Sequence, residues 1–226
     1  MIRIVLVAAL AIAQPTDEAS SGDATPPPVS TAWSEAITNR AKIKVAPDFV
    51  DGPRAELPET EKALGHHGQV IVEGIIGVDG KMTGVRIKQT SNAPALDKIA
   101  LDAAIASTFT PARDVEGQPL PVVVTMPFDL VAYKSEQGMG ILQYTCEQFV
   151  RDMDWWKSVN PDKPFSEHEL HKLESGMEFA AAISQANGDY ARLKGFSSDF
   201  ERRWIAAIDY CRKKPKILQR DAIFRS

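Results

Sequence analysis

Gly68 to Gln89 reads GQVIVEGIIGVDGKMTGVRIKQ, and its period of two decides the fold. Val70, Val72, Ile76 and Val78 alternate onto one face of a first strand. Asp79-Gly80 follows, a hairpin signal because both residues tolerate φ > 0. Met82 to Gln89 is the return strand, with Val85 and Ile87 on one face and Arg86 and Lys88 on the other. Gly74, Gly77 and Gly84 lie inside these strands and predict bulges or close packing under a helix.

Downstream, Ser91 and Asn92 are cap candidates and Pro94 fits a first helical turn. Leu96, Ile99, Ala100, Ala103 and Ala104 form an apolar stripe at helical spacing, and the alanines predict close contact with a sheet. Phe109-Thr110-Pro111-Ala112 ends this helix, and Gly117 and Pro119 turn the chain into a third strand, Leu120 to Val131. That strand alternates through Val122, Val124, Met126, Phe128 and Leu130; Pro127 has no N–H to give and puts it at a sheet edge. One amphipathic helix on a three-stranded antiparallel sheet is the economical packing, an α+β arrangement. Upstream, Pro58 to Leu64 predicts a helical turn. Lys44 to Pro58 reads as irregular, punctuated by Pro47, Gly52 and Pro53, and Thr31 to Ile43 as a short helix with Trp33, Ala36 and Ile37 on one side. Residues 31–56 are thus an irregular lead-in to a module at 57–133.

The order and spacing of Leu57-Pro58, Ala63, Gly68-Gln69-Val70-x-Val72 and Asp79-Gly80-Lys81-Met82 resemble the TonB C-terminal domain family. The match continues through Val85-x-Ile87, Ala95-Leu96-Asp97, Ala100, Ala103, Ala104, Phe109-x-Pro111-Ala112, Gly117, Pro119 and the strand to Phe128. The resemblance implies a domain that binds a short extended segment of an outer-membrane receptor, or another envelope protein, by adding it to a sheet edge. On that reading Val122, Val123, Val124, Thr125 and Phe128 form the contact stretch. The competing reading makes Val122, Val124 and Phe128 core, and binding through the backbone survives it. The chain departs from the family in carrying Leu57 where an aromatic is frequent. Energy-transducing members also keep a membrane helix and a long Pro-rich spacer.

The N-terminus carries an address. Arg3 precedes the apolar run Ile4 to Ala13, and Ala11-Ile12-Ala13 is a cleavage pattern that leaves Gln14 first. Ten apolar residues rise about 15 Å as a helix, half a bilayer core, so a cleaved signal peptide (residues 1–13) and a periplasmic location are favoured over an inner-membrane anchor. Gln14 to Ser30, QPTDEASSGDATPPPVS, is too polar and proline-rich to fold and reads as a disordered tether.

A helical region spans 138–226. Gln143 to Met153 is amphipathic and runs into Trp155-Trp156. Ser166 with Glu169 forms a capping box for a helix to about Gln185, with Leu170, Leu173, Met177, Ala180 and Ala181 apolar. Ser197 to Cys211 carries Phe200, Trp204, Ala207, Ile208 and Cys211 on one stripe. In an oxidising compartment Cys146 and Cys211 pair by default, the alternative being two buried thiols. The surroundings of the two cysteines faintly resemble small disulfide-linked helical periplasmic proteins such as acid-stress chaperones.

A net charge of −4 and the absence of a basic stripe argue against nucleic acid as a partner. No nucleophile elbow, phosphate loop, dinucleotide motif or Cys-x-x-Cys is present, and no carboxylate pair stands out. We therefore expect no enzyme, catalytic residue, cofactor, metal or small-molecule substrate. His168, His171 and Glu174 read as a solvated helix face and His66-His67 as a loop pair; of Trp155 and Trp156, one is expected in the helical core and the other on its rim. The function expected is that of a periplasmic binding protein. A membrane-anchored energy transducer and a chaperone or assembly factor acting through the helical region are the alternatives, and a strand-swapped homodimer stays open.

Overall fold

The computed structural model describes residues 31–133, 140–186 and 190–223, so the leader, the tether and the start of the helical region at Gly138 lie outside the described residues. The first part begins with α1 (Thr31–Asn39), a 3-10 turn at Arg40–Lys42, β1 (Phe49–Asp51) and α2 (Glu59–Leu64). The hairpin follows as β2 (Gly68–Ile76) and β3 (Met82–Gln89), then α3 (Pro94–Ala106). Three short strands, β4 (Thr108–Phe109), β5 (Ala112–Arg113) and β6 (Pro119–Leu120), lead into β7 (Val122–Leu130).

The main sheet has the order β3-β2-β7 and is antiparallel. β2 pairs with β7 without a break from Gly68↔Leu130 to Ile76↔Val122. Its register with β3 shifts twice, once between Glu73 and Ile75, opposite Gly84, which is the bulge the glycines predicted. The hairpin connection differs in detail from expectation. Gly80 N–H donates to Gly77 O at 3.0 Å and Gly77 N–H to Lys81 O at 2.9 Å. This is a type I turn closed by one left-handed residue, Gly80 at φ 77°, and Asp79 does not share that conformation. A Cβ on Gly80 would sit 2.0 Å from Phe109 O, so the position admits only glycine. Val78 falls in the turn and is 54% exposed, because β2 ends at Ile76.

α3 lies on one face, where Leu96, Ala100 and Ala104 bury with Val70, Val72, Met82 and Leu130. Its N-cap residue is Ala93, not Ser91 or Asn92. Ser91 serves the helix differently: its N–H and hydroxyl both donate to Asp97 Oδ1, at 2.9 and 2.8 Å, while Thr90 donates to Oδ2. α1 covers the hairpin end of the opposite face. Trp33 and Ala36 pack on Ile75 and Val123, and the Arg86 guanidinium stacks 4.0 Å over the Trp33 ring. The stretch expected to be irregular adds structure of its own, since Phe49–Asp51 pairs with Thr108–Phe109 and Val45 bridges Arg113.

The helical region comprises α4 (Gly140–Gln143), α5 (Cys146–Val159), α6 (Glu169–Gln185), α7 (Phe196–Lys213) and α8 (Gln219–Ile223). The predicted stripe of α7 is buried in full, against Phe149, Met153 and Leu170. Cys146 and Cys211 form a disulfide that staples α5 to α7. Thr145 and Gln148 cap α5 reciprocally. The expected Ser166 box is not formed: Phe165–Glu167 is a 3-10 turn and α6 is capped by His168, whose Nδ1 accepts from Leu170 N–H at 3.1 Å. Of the apolar residues expected on α6 only Leu170 is fully buried. Among the described residues, no helix is long and apolar enough to cross a membrane.

Candidate functional site: an open sheet edge and a buried junction

β7 is the last strand of its sheet, and among the described residues no strand lies beyond it. The structure divides the five expected contact residues by face. Val122 is buried with Ala112 and Leu120, and Val124 and Phe128 pack half-buried on the core under α3. On the other face Val123 leans on the Trp33 cluster and Thr125 is exposed. The side chains of Val122, Val124 and Phe128 are therefore core. What β7 can offer is backbone. Pro127, paired with Ile71, lacks an N–H and fits the ladder only where the backbone groups point away from β2. Val123 and Thr125 share its parity, so their N–H and C=O groups face outward too.

Past Leu130 the chain enters the helical region, and Val131 and Tyr133 bury in its core. α5 faces back: Trp155 packs on the cluster under α3 and against the rings of His66 and His67. Trp156 packs on Phe165 and His168. Neither tryptophan lies in the helical core, contrary to expectation; that position is filled by Trp204. A polar cleft of about 370 Å³ opens beside the junction, lined by Gln69, Ser91, Tyr133, Lys163 and Glu167 among others.

At the cleft wall two histidines meet. His67 and His168 are 4% and 2% exposed, and their Nε2 atoms are 2.8 Å apart. His66 and His67 lie in the loop between α2 and β2 as expected, but the His67 ring is buried there against Trp155 and His168; the solvated-face reading of His168 fails because its ring is covered by His67 and Trp156. The hydrogen bonds fix both tautomers. Gly65 O can only accept, so His67 carries its proton on Nδ1, 2.7 Å away. His168 Nδ1 accepts from Leu170 N–H, so its proton is on Nε2 and is donated to His67 Nε2. Burial pushes both imidazoles below their ordinary value and keeps them neutral; for His67 nearby Asp152 opposes this. Asp152 is itself buried, accepts from the Tyr144 hydroxyl and from Arg151, and is raised by burial.

This pair does not fit a metal ion. A cation bound through both Nε2 atoms would force the His168 proton onto Nδ1, where it would face the Leu170 N–H. No group of three or more potential ligands is assembled among the described residues. His171 is also buried, between Phe200 and Trp204, with Nε2 2.7 Å from Glu201 Oε2, and so is not on a solvated face. No local signal marked these histidines: His67 and His168 are 101 residues apart in sequence.

Residues 53–130 match the family model of the Gram-negative bacterial TonB protein C-terminal. The matched stretch covers α2, the sheet and α3. No curated protein matches the chain.

Proposed function

We propose that this is an exported envelope protein whose sheet captures an extended segment of an envelope partner, such as an outer-membrane receptor, as a fourth strand along β7. The supporting observation is the edge itself: nine residues in unbroken register with β2; the parity of Pro127 implies that the backbone groups of Val123 and Thr125 point away from β2. Main-chain bonds to an added strand supply affinity, and flanking side chains set its register. The capture grips the backbone of β7, not the side chains of Val122, Val124 and Phe128. Pro127 ends the run of donors, so the docked stretch is short. The test is titration of the full chain with receptor-derived extended peptides, read by amide chemical shifts. Shifts are expected at Val123, Thr125 and their β2 partners, and Thr125→Pro, which removes one outward donor, abolishes them. Binding that leaves β7 unshifted, or that survives Thr125→Pro unchanged, refutes the reading.

A second reading rests on α6. Leu173, Met177, Phe179 and Ile183 are exposed on it, beside an apolar cleft of about 310 Å³ lined by Ile141, Leu142, Met177, Phe200 and Ile223. An exposed apolar surface of this kind suits a chaperone that shields unfolded chains. It predicts suppression of aggregation by the full chain that is lost in Met177→Lys and unaffected by Thr125→Pro.

A further inference from the structure

We propose that the His67–His168 hydrogen bond is an acid-labile latch, which holds the helical region against the sheet at neutral pH and releases it on acidification. The inference does not depend on strand capture by β7.

The geometry leaves no vacancy for a proton. His67 Nδ1–H is used on Gly65 O, and its Nε2 receives the His168 proton. His168 Nδ1 receives the Leu170 N–H. Adding a proton to His67 Nε2 sets two N–H groups head to head at 2.8 Å. Adding it to His168 Nδ1 breaks the cap of α6 in the same way. Either ring must turn away from its partners to become charged, and each is wedged against a tryptophan, Trp155 or Trp156, in the junction.

The charged surroundings do not rescue the cation. From α5, Asp152 favours a charged His67, but Arg151 and Tyr144 already occupy its carboxylate, and Arg151 itself opposes the charge. From the loop after α2, His66 opposes it and is held by Glu61. From α6, His171 and Lys172 oppose a charge on His168, and Lys172 is paired with Glu169. Lys163 and Glu167 line the same cleft from the segment before α6, and Tyr133 from the segment after β7.

Burial of the neutral rings lowers both folded values below 6.5. The docked form therefore binds fewer protons than the released form. Docking is fully favoured above 6.5 and is lost as the pH falls below it. With two excluded protons the docking equilibrium changes by up to about 100-fold per pH unit. The disulfide joins α5 to α7 within the helical region and does not depend on the junction.

The test uses the oxidised full chain and hydrogen exchange between about pH 5 and 8, with intrinsic rates corrected against β2 and β3. Protection of residues 65–69 and 168–172 is expected to fall on acidification. In His67→Gln/His168→Asn that slope disappears; asparagine retains the cap on Leu170 N–H. In His66→Gln the slope remains. Equal slopes in wild type and the double variant, or loss of the slope in His66→Gln alone, overturn the proposal. Should the double variant be undocked at every pH, nitrogen NMR of the wild-type rings decides. Neutral His67 protonated on Nδ1 and neutral His168 protonated on Nε2 at pH 6.5 uphold the latch, and a charged ring in the docked protein at that pH overturns it.

Discussion

Gly65 packs without a side chain against the backbone of Arg151: at φ 76° it closes α2, and a Cβ there would lie 2.9 Å from the Arg151 carbonyl oxygen. Gly65 therefore does two things at once. Its left-handed conformation caps a helix of the sheet region, and its bare Cα lets α5 approach. Gly65→Ala is expected to cost about 1–2 kcal/mol from the conformation alone. It should also raise hydrogen exchange at Arg151–Trp155 more than in the β2–β3 hairpin. Equal changes in both would mean that the glycine serves the helix end only.

Asp97 ties α3 to the preceding turn through Thr90 and Ser91. Asp97→Ala leaves the Ser91 N–H without its partner in a half-buried place. A loss of about 1–2 kcal/mol is expected in denaturant unfolding, with an unchanged slope on denaturant. Asp97→Asn, which keeps one acceptor oxygen, should recover part of it.

Glu174 is raised from 4.5 to about 7, mainly by burial and secondarily by Glu178, against a hydrogen bond from Gln219. The folded state holds this proton more tightly than the unfolded chain. Its stabilising effect is complete below 4.5 and is lost as the pH rises through about 7. Glu174→Gln stays uncharged and can still accept from Gln219. It should stabilise the helical region by about 1–2 kcal/mol at pH above 7 and by much less in acid, as measured by thermal melts across pH.

The disulfide closes a sequence separation of 65 residues. Loop-closure entropy predicts a contribution of about 4 kcal/mol. Cys146→Ala/Cys211→Ala should lower the helical transition by that order, and near-ultraviolet circular dichroism of Trp204 should be lost before the sheet unfolds. A single coincident transition would mean that the two regions unfold as one unit.

Legibility followed the length scale of each interaction. The hairpin and α3 were readable because a half-buried strand and a sheet-bound helix impose periods of 2 and 3.6 on local sequence. Stripes were less reliable where their ends met solvent, as at Val78 and along α6. β1 gave no signal: its three residues are all exposed, and prolines bracket them. The Thr145-x-x-Gln148 box was present in the sequence and readable by the same rule that misled at Ser166. There the cap passed to His168, a residue whose ring nitrogen does the work of a hydroxyl. The expected edge followed from one proline. The His67–His168 contact did not, because its two rings are brought together only when α5 and α6 settle on the loop after α2.

Pro127 also sets a limit on grip. An uninterrupted edge would let a captured strand, or a second copy of this chain, zip along its full length and leave slowly. With no donor at Pro127, a strand added there would be metered to a few residues, and contact of that extent would exchange rapidly. An edge broken in this way would also resist templating the stacked strands from which fibrils grow.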